Sequence, residues 1–182
     1  MMKYDASPTI SAFIVDEKPY TFVVGPIGSG KSVGGVMKIF YRAAKQEPSP
    51  VDGIRYSRWL VVRNTNKELQ DTTLKTFFDW FPPGIAGEWH ATSKTFVYKR
   101  DGLHCEIMFR ALDRPDDASR VLSLELTGAM IDEFVEIPRE ILDAVHSRCD
   151  RYPSASKGGC TWAGVWGASN PGTQDSWWYD FL

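Results

Sequence analysis

Several features are scarce in this 182-residue sequence, and each scarcity removes a class of function. No apolar run approaches the ~18 residues that a membrane-spanning helix needs. The opening stretch, MMKYDASPTI, lacks the apolar core of a secretion signal. Cysteine is limited to Cys105, Cys149 and Cys160, spaced neither as metal-ligand pairs nor as an even disulfide set. Reduced thiols in a cytoplasmic protein are the expectation. His90, His104 and His146 are equally scattered, so no metal site made of protein ligands alone is expected. There is no basic excess: 21 Lys and Arg stand against 23 Asp and Glu, a net charge of −2. That balance argues against a permanent, nonspecific nucleic-acid coat, while leaving room for a local basic surface. Internal repeats and low-complexity tracts are missing.

What remains is the composition of a globular protein able to bury a core, 43% hydrophobic and 24% charged, at a length that fits one domain. Apart from a Pro/Gly/Ser-rich loop, QEPSPVDGIRYS, the elements alternate. YTFVV reads as a buried strand, and KSVGGVMKIFYRAAKQ has apolar residues at helical spacing. RWLVV reads as a second strand, and NKELQDTTLKTFFDWF as a helix stopped by Pro82 and Pro83. TFVYK and LHCEIMFRAL suit a hairpin across Asp101–Gly102. DDASRVLS reads as a short helix, LTGAMI as a strand, PREILDAVHSRC as a helix and TWAGVWGA as a strand. This alternation predicts an α/β domain with a mostly parallel sheet flanked by helices. The apolar SWWYDFL suggests a chain that continues further, or else a terminus folded back on the core.

One motif is complete. Gly25, Gly30, Lys31 and Ser32 match the spacing G-x-x-x-x-G-K-[ST], with Pro26, Ile27, Gly28 and Ser29 between them, and the motif lies between a strand and a helix. Glycines let the backbone wrap a phosphate, and the following helix directs its positive end at the anion. Lys31 is expected on the β- and γ-phosphates of ATP and Ser32 on Mg²⁺.

Further along, the strand LTGAMI ends in Asp132–Glu133. In phosphate-loop proteins the strand beside the loop commonly ends in an acidic residue that holds Mg²⁺. Asp132 is the candidate. Glu133 is positioned to polarise a water, which favours hydrolysis over phosphoryl transfer to an acceptor. GVWGASNP ends in Ser169–Asn170–Pro171, either a plain turn or a sensor of the terminal phosphate carried by Asn170. Among the arginines that could meet transition-state charge, Arg63, Arg120, Arg148 and Arg151, Arg63 is favoured for a local role at the nucleotide and Arg120 for action across a subunit boundary.

Taken together, GPIGSGKS, VVRNTNKELQDTTLKTFFDWFP, LDRPDDASRVLSLELTGAMIDEF, RCDRYPS and SNPGTQDSWWY resemble the ATPase portion of the large terminase subunit of tailed bacteriophages, from about Tyr20 to Tyr179. The stretch Leu112 to Ala129 is the more specific part, since the phosphate loop alone is generic. The resemblance implies a RecA-like (ASCE-type) P-loop ATPase over residues 1–182. It implies a motor that drives double-stranded DNA into a procapsid in the host-cell cytoplasm, working with a portal protein and a small terminase subunit. It implies ATP and Mg²⁺ as cofactors and a homo-oligomeric ring in the assembled state, with no membrane contact. Asp132 and Glu133 become the magnesium and catalytic carboxylates, and Ser169–Asn170 the segment that couples hydrolysis to movement. The nuclease domain carried by family members lies outside these residues. Tyr20 and the preceding DEKP are where the adenine could rest. Three other readings stay open: a small nucleotide or metabolite kinase, a GTPase switch (NKEL nearly matches N-K-x-D), and a nucleotide-binding unit that turns over only within a ring.

Overall fold

The computed structural model describes residues 4–173 and 176–181; Met1–Lys3 of the opening stretch, Gln174–Asp175 of SNPGTQDSWWY and Leu182 lie outside them. A seven-stranded sheet in the order β1-β7-β6-β2-β5-β4-β3 forms its centre. The strands are β1 (Tyr20–Val24), β2 (Arg55–Arg63), β3 (Glu88–His90), β4 (Thr95–Arg100), β5 (Leu103–Ala111), β6 (Gly128–Asp132) and β7 (Gly164–Ser169). Neighbours from β1 through to β5 pair in parallel, and β4 and β3 extend the sheet antiparallel. The mostly parallel α/β architecture expected from the sequence is the one observed.

Near-continuous apolar runs make the inner strands, because a parallel sheet is covered on both faces. In β2, Trp59 and Val61 enter one core, with Met130 and Trp166 beside them and helices α1 (Pro8–Val15), α2 (Lys31–Lys45) and α4 (Lys75–Trp80) above. Leu60 and Val62 enter the other core, with Ala129, Ile131 and Val165, under α5 (Arg139–Arg148). The segment Trp177–Phe181, α6, adds Trp178 to this second core, and its indole Nε1 donates to the Ile137 carbonyl at 3.1 Å. Tyr179 and Phe181 of the same stretch stay exposed.

Several local details depart from the sequence expectations. A helix not foreseen there, α1, is capped by the Ser7 hydroxyl, which accepts from the Ile10 amide at 3.4 Å. It packs so close to α2 that a Cβ on Gly34 would lie 2.6 Å from Ile10 Cγ2. The single helix expected over 66–81 is broken into α3 (Asn66–Glu68), a π-helical turn (Leu69–Leu74) and α4. DDASRVLS forms a 3₁₀ turn, Pro115–Arg120, rather than an α-helix. Of TWAGVWGA only Gly164 onward joins the sheet.

One departure concerns topology. The acidic strand β6 does not lie beside the loop strand β1; β7 is inserted between them. The registers Val24↔Ser169 and Asp132↔Ala168 therefore put the last residues of β1, β7 and β6 side by side. Backbone pairing alone sets Gly25, Asn170 and Glu133 along one rim.

Candidate active site

The loop Gly25–Ser32 leaves the rim of β1 and turns into α2. Gly28 and Gly30 carry φ of 76° and 81°, a left-handed backbone that glycine adopts without steric cost. Gly30 is the residue from which α2 starts, so the free N–H groups of the first helical turn face the loop. A cleft of ≈ 320 Å³ opens here, lined by Ile27 to Val33, Thr76, Glu133 and Asn170.

Lys31 is only 6% exposed, and its ammonium is folded onto the loop. Nζ donates to the carbonyls of Gly25 (2.8 Å) and Pro26 (2.7 Å), lies 3.3 Å from Ser29 Oγ and reaches Asn170 Oδ1 at 3.2 Å. Ser32 Oγ donates to Asp132 Oδ1 at 2.9 Å. The other oxygen of Asp132, Oδ2, accepts from Thr73 Oγ1 at 2.6 Å. Burial pushes the Asp132 carboxyl upward. The bonds from Thr73 and Ser32 and the charge of Arg63 oppose it, while the charge of Glu133 adds to it. Ser32 and Asp132 thus offer adjacent oxygen donors, the donor chemistry that suits a hard cation such as Mg²⁺.

Glu133 adopts φ 52° and ψ 55°, a left-handed conformation that costs a residue with a Cβ about 1 kcal/mol or more. The bend turns the chain out of β6 into the 3₁₀ turn Phe134–Glu136 and brings the Glu133 carboxylate to the cleft rim. There it accepts from Ser169 Oγ (2.9 Å), the Asn170 amide (3.0 Å) and Asn170 Nδ2 (3.3 Å). Asn170 therefore bridges Lys31 and Glu133 with its two amide atoms.

All eight loop residues, Asp132, Glu133 and Asn170 are brought to one place. The two arginines are not. Arg63, expected at the nucleotide, is instead buried and ion-paired with Glu136 (2.7 Å) and Glu68 (3.6 Å), outside the cleft lining. Two carboxylates hold its guanidinium, and its charge opposes the upward push on the Asp132 carboxyl. Arg120 projects from the Pro115–Arg120 turn with its side chain 71% exposed and paired to Asp117 at 2.9 Å. Tyr20 starts β1 whereas the loop follows its end, four strand steps or roughly 13 Å away. Its ring is stacked on His146 at 4.6 Å.

Thr73 and Thr76 are site residues that sequence reasoning missed. Their signal was present. In LQDTTL the apolar residues Leu69 and Leu74 stand five apart, off the helical spacing of three or four, and a pair of threonines falls between.

No protein-family model matches the chain, and no curated protein does. Solved structures do. The large terminase from a thermophilic bacteriophage, in complex with ADP, superposes with a TM-score of 0.70 at 13% identity, over 97% of this chain and 42% of that one. The same terminase in complex with ATP-gamma-S gives a TM-score of 0.69 at 13% identity, over 98% and 41%. The large terminase ATPase domain of Thermus phage P74-26 gives 0.52 at 15% identity, over 98% of this chain and 69% of that one. This chain thus spans less than half the length of the two nucleotide-bound terminases. Over 97–98% of its length it has the fold of these phage large terminase structures.

Proposed function

We propose that this chain is the ATP-hydrolysing domain, residues 1–182, of a phage large terminase subunit. One observation carries the reading: the ends of three parallel strands gather Lys31, Glu133 and Asn170 at a single cleft opened by a phosphate-loop sequence, with Asp132 bonded to Ser32 behind its wall. The likeness to terminases solved with ADP and ATP-gamma-S supports a nucleotide there.

Loop N–H groups and the α2 N-terminus hold the β- and γ-phosphates. Lys31 exchanges its bonds to Gly25, Pro26 and Asn170 for phosphate oxygens. Ser32 and Asp132 would hold Mg²⁺, which would supply neutralising charge to the phosphates. Glu133 takes the proton of the attacking water as a general base. When Lys31 turns to the phosphates, Asn170 Oδ1 loses its partner, while its amide nitrogens still bond Glu133. Asn170 thereby links the state of the γ-phosphate to the placement of the base, and through β7 to the rest of the domain. Arg120, exposed and lightly held, is the residue that reaches a neighbouring subunit's ATP.

In the assembled motor a ring of such domains grips double-stranded DNA through sequence-independent backbone contacts and moves it into the procapsid. The portal protein and small terminase subunit are its partners, in the host-cell cytoplasm. Phosphate release from ATP and Mg²⁺ with no acceptor present, in this domain assembled with its portal and DNA, tests the enzymatic core. ADP formed only when an acceptor molecule is added, with the phosphoryl group carried by that acceptor and no phosphate released, would instead make the chain a kinase.

A further inference from the structure

The π-helical turn Leu69–Leu74 lies on the segment that follows β2, not on any of the three strands whose ends form the cleft. A π-turn is less favourable than continuous α-helix and occurs mostly as a single turn, frequently at functional sites. Here its effect is definite. With five-residue spacing, Leu69 and Leu74 both reach the core, and Thr73, 2% exposed, faces inward beside Leu74. The two threonines then behave differently. Thr72 bonds back to the Glu68 carbonyl at 2.6 Å, as helical threonines commonly do. Thr73 donates across the structure to Asp132 Oδ2.

We propose that Thr73 is the positioning residue of the magnesium carboxylate. It ties down Oδ2 so that Oδ1 stays turned toward Ser32, and the π-turn is the backbone device that delivers it. The inference rests on reading Asp132 as the magnesium ligand. The alternative is purely structural, a hydroxyl that satisfies one oxygen of a buried carboxylate and contributes to stability alone. The two differ in what they do to the metal. Hydrogen-bond partners of a ligand typically set 10–100-fold of metal affinity.

The test is the magnesium dependence of nucleotide binding by the whole chain, read with a fluorescent ATP analogue in EDTA and across a Mg²⁺ titration. Thr73→Val keeps the branched shape and removes the hydroxyl, Thr73→Ser keeps the hydroxyl, and Thr73→Ala is the second hydroxyl-free variant should valine fail to fold. The expected result is a half-saturating Mg²⁺ concentration raised about tenfold in Thr73→Val or Thr73→Ala. Thr73→Ser should stay within about twofold of wild type, with affinity in EDTA unchanged in all of them. An unshifted magnesium midpoint in the hydroxyl-free variants overturns the proposal, as does an equal loss in EDTA. Wild-type binding that ignores Mg²⁺ overturns the reading of Asp132 itself, and the role of Thr73 with it.

Discussion

Two lysines on α2 stand seven residues apart, two turns along the same helix face, and both are buried: Lys31 is 6% exposed and Lys38 is 0%. Both ammonium groups bond to backbone carbonyls. Lys38 Nζ donates to Phe13 (2.8 Å) and Asp16 (3.0 Å) at the end of α1 and lies over the rings of Phe13 and Trp166. Beside it Arg42 bonds the carbonyls of Val15 and Asp16 and pairs with Glu17. Two cations at a helix C-terminus complement its dipole and its unpaired carbonyls. What separates the lysines is their surroundings. Around Lys31 are a cleft, a glycine-containing loop and an asparagine that also holds a carboxylate. Around Lys38 are a helix end and two aromatic rings. A buried ammonium is therefore not a site in itself; the lysine that can exchange partners is the one to test for function.

The sharpest test of that contrast is substitution of both. Lys31→Ala should abolish nucleotide binding, a loss of at least a hundredfold by fluorescence titration, while Lys38→Met binds within about twofold of wild type, since each 1.4 kcal/mol removed is a factor of ten. Equal losses would mean that α1 and the loop act as one unit and that the contrast is false. Next in size is Glu133→Gln. It keeps the hydrogen-bond acceptor for Ser169 and removes the base, so turnover in the assembled motor should fall by about 10²–10⁴ with binding retained. Loss of binding would show that Glu133, rather than Asp132, holds the metal.

Lys38 itself makes the third test, on stability. Burial lowers its pKa to about 8, with Arg42 adding in the same direction and Asp16 opposing. Between pH 8 and 10.5 the unfolded chain carries more protons at this site than the folded one. Folding stability contributed by the site therefore rises with pH through that window, and below it the folded state bears the cost of a buried charge. Unfolding free energies from denaturant titration, wild type minus Lys38→Met in matched buffers, should move in favour of wild type by up to about 3 kcal/mol over the window. The subtraction cancels the cysteines and tyrosines, which titrate in both proteins. A flat difference would mean that Lys38 keeps its proton throughout.

The same pair shows how much the sequence made legible. Lys31 could be found because its neighbours in the chain are its neighbours in space: the phosphate loop is a local structure, and glycine spacing encodes it. Asp132, Glu133 and Asn170 could be nominated because each closes an apolar run, and strand ends in a parallel sheet collect at one edge. The fold class followed from the same alternation of elements. Lys38 and Arg42 were not legible, since their partners are carbonyls of a helix that the opening stretch does not announce. Thr73 was hidden by a helical period that runs through NKELQDTTLKTFFDWF apart from one extra residue. The ion pair of Arg63 was not legible because nothing local to it announces Glu136, which lies 73 positions on. Motif and periodicity report local order; ion pairs and buried hydrogen bonds depend on which distant segments the topology brings together.

Arg120→Ala is expected to give the smallest effect on the isolated chain, and it extends the comparison from buried cations to an exposed one. Its ion pair to Asp117 joins residues three apart on the surface turn, and such pairs contribute little. Thermal stability should change by no more than about 0.5 kcal/mol, and nucleotide affinity of the monomer should not change. A cation held so loosely is free to leave Asp117 for a neighbour's phosphates, where an arginine contributes ~10³–10⁵ in rate. The same variant should therefore be almost silent alone and severely impaired once assembled with portal and DNA, with ATPase turnover compared in the two states. An equal defect in both would put Arg120 to work within its own subunit. No defect in either would pass the role to another arginine, the exposed Arg151 or the half-buried Arg148.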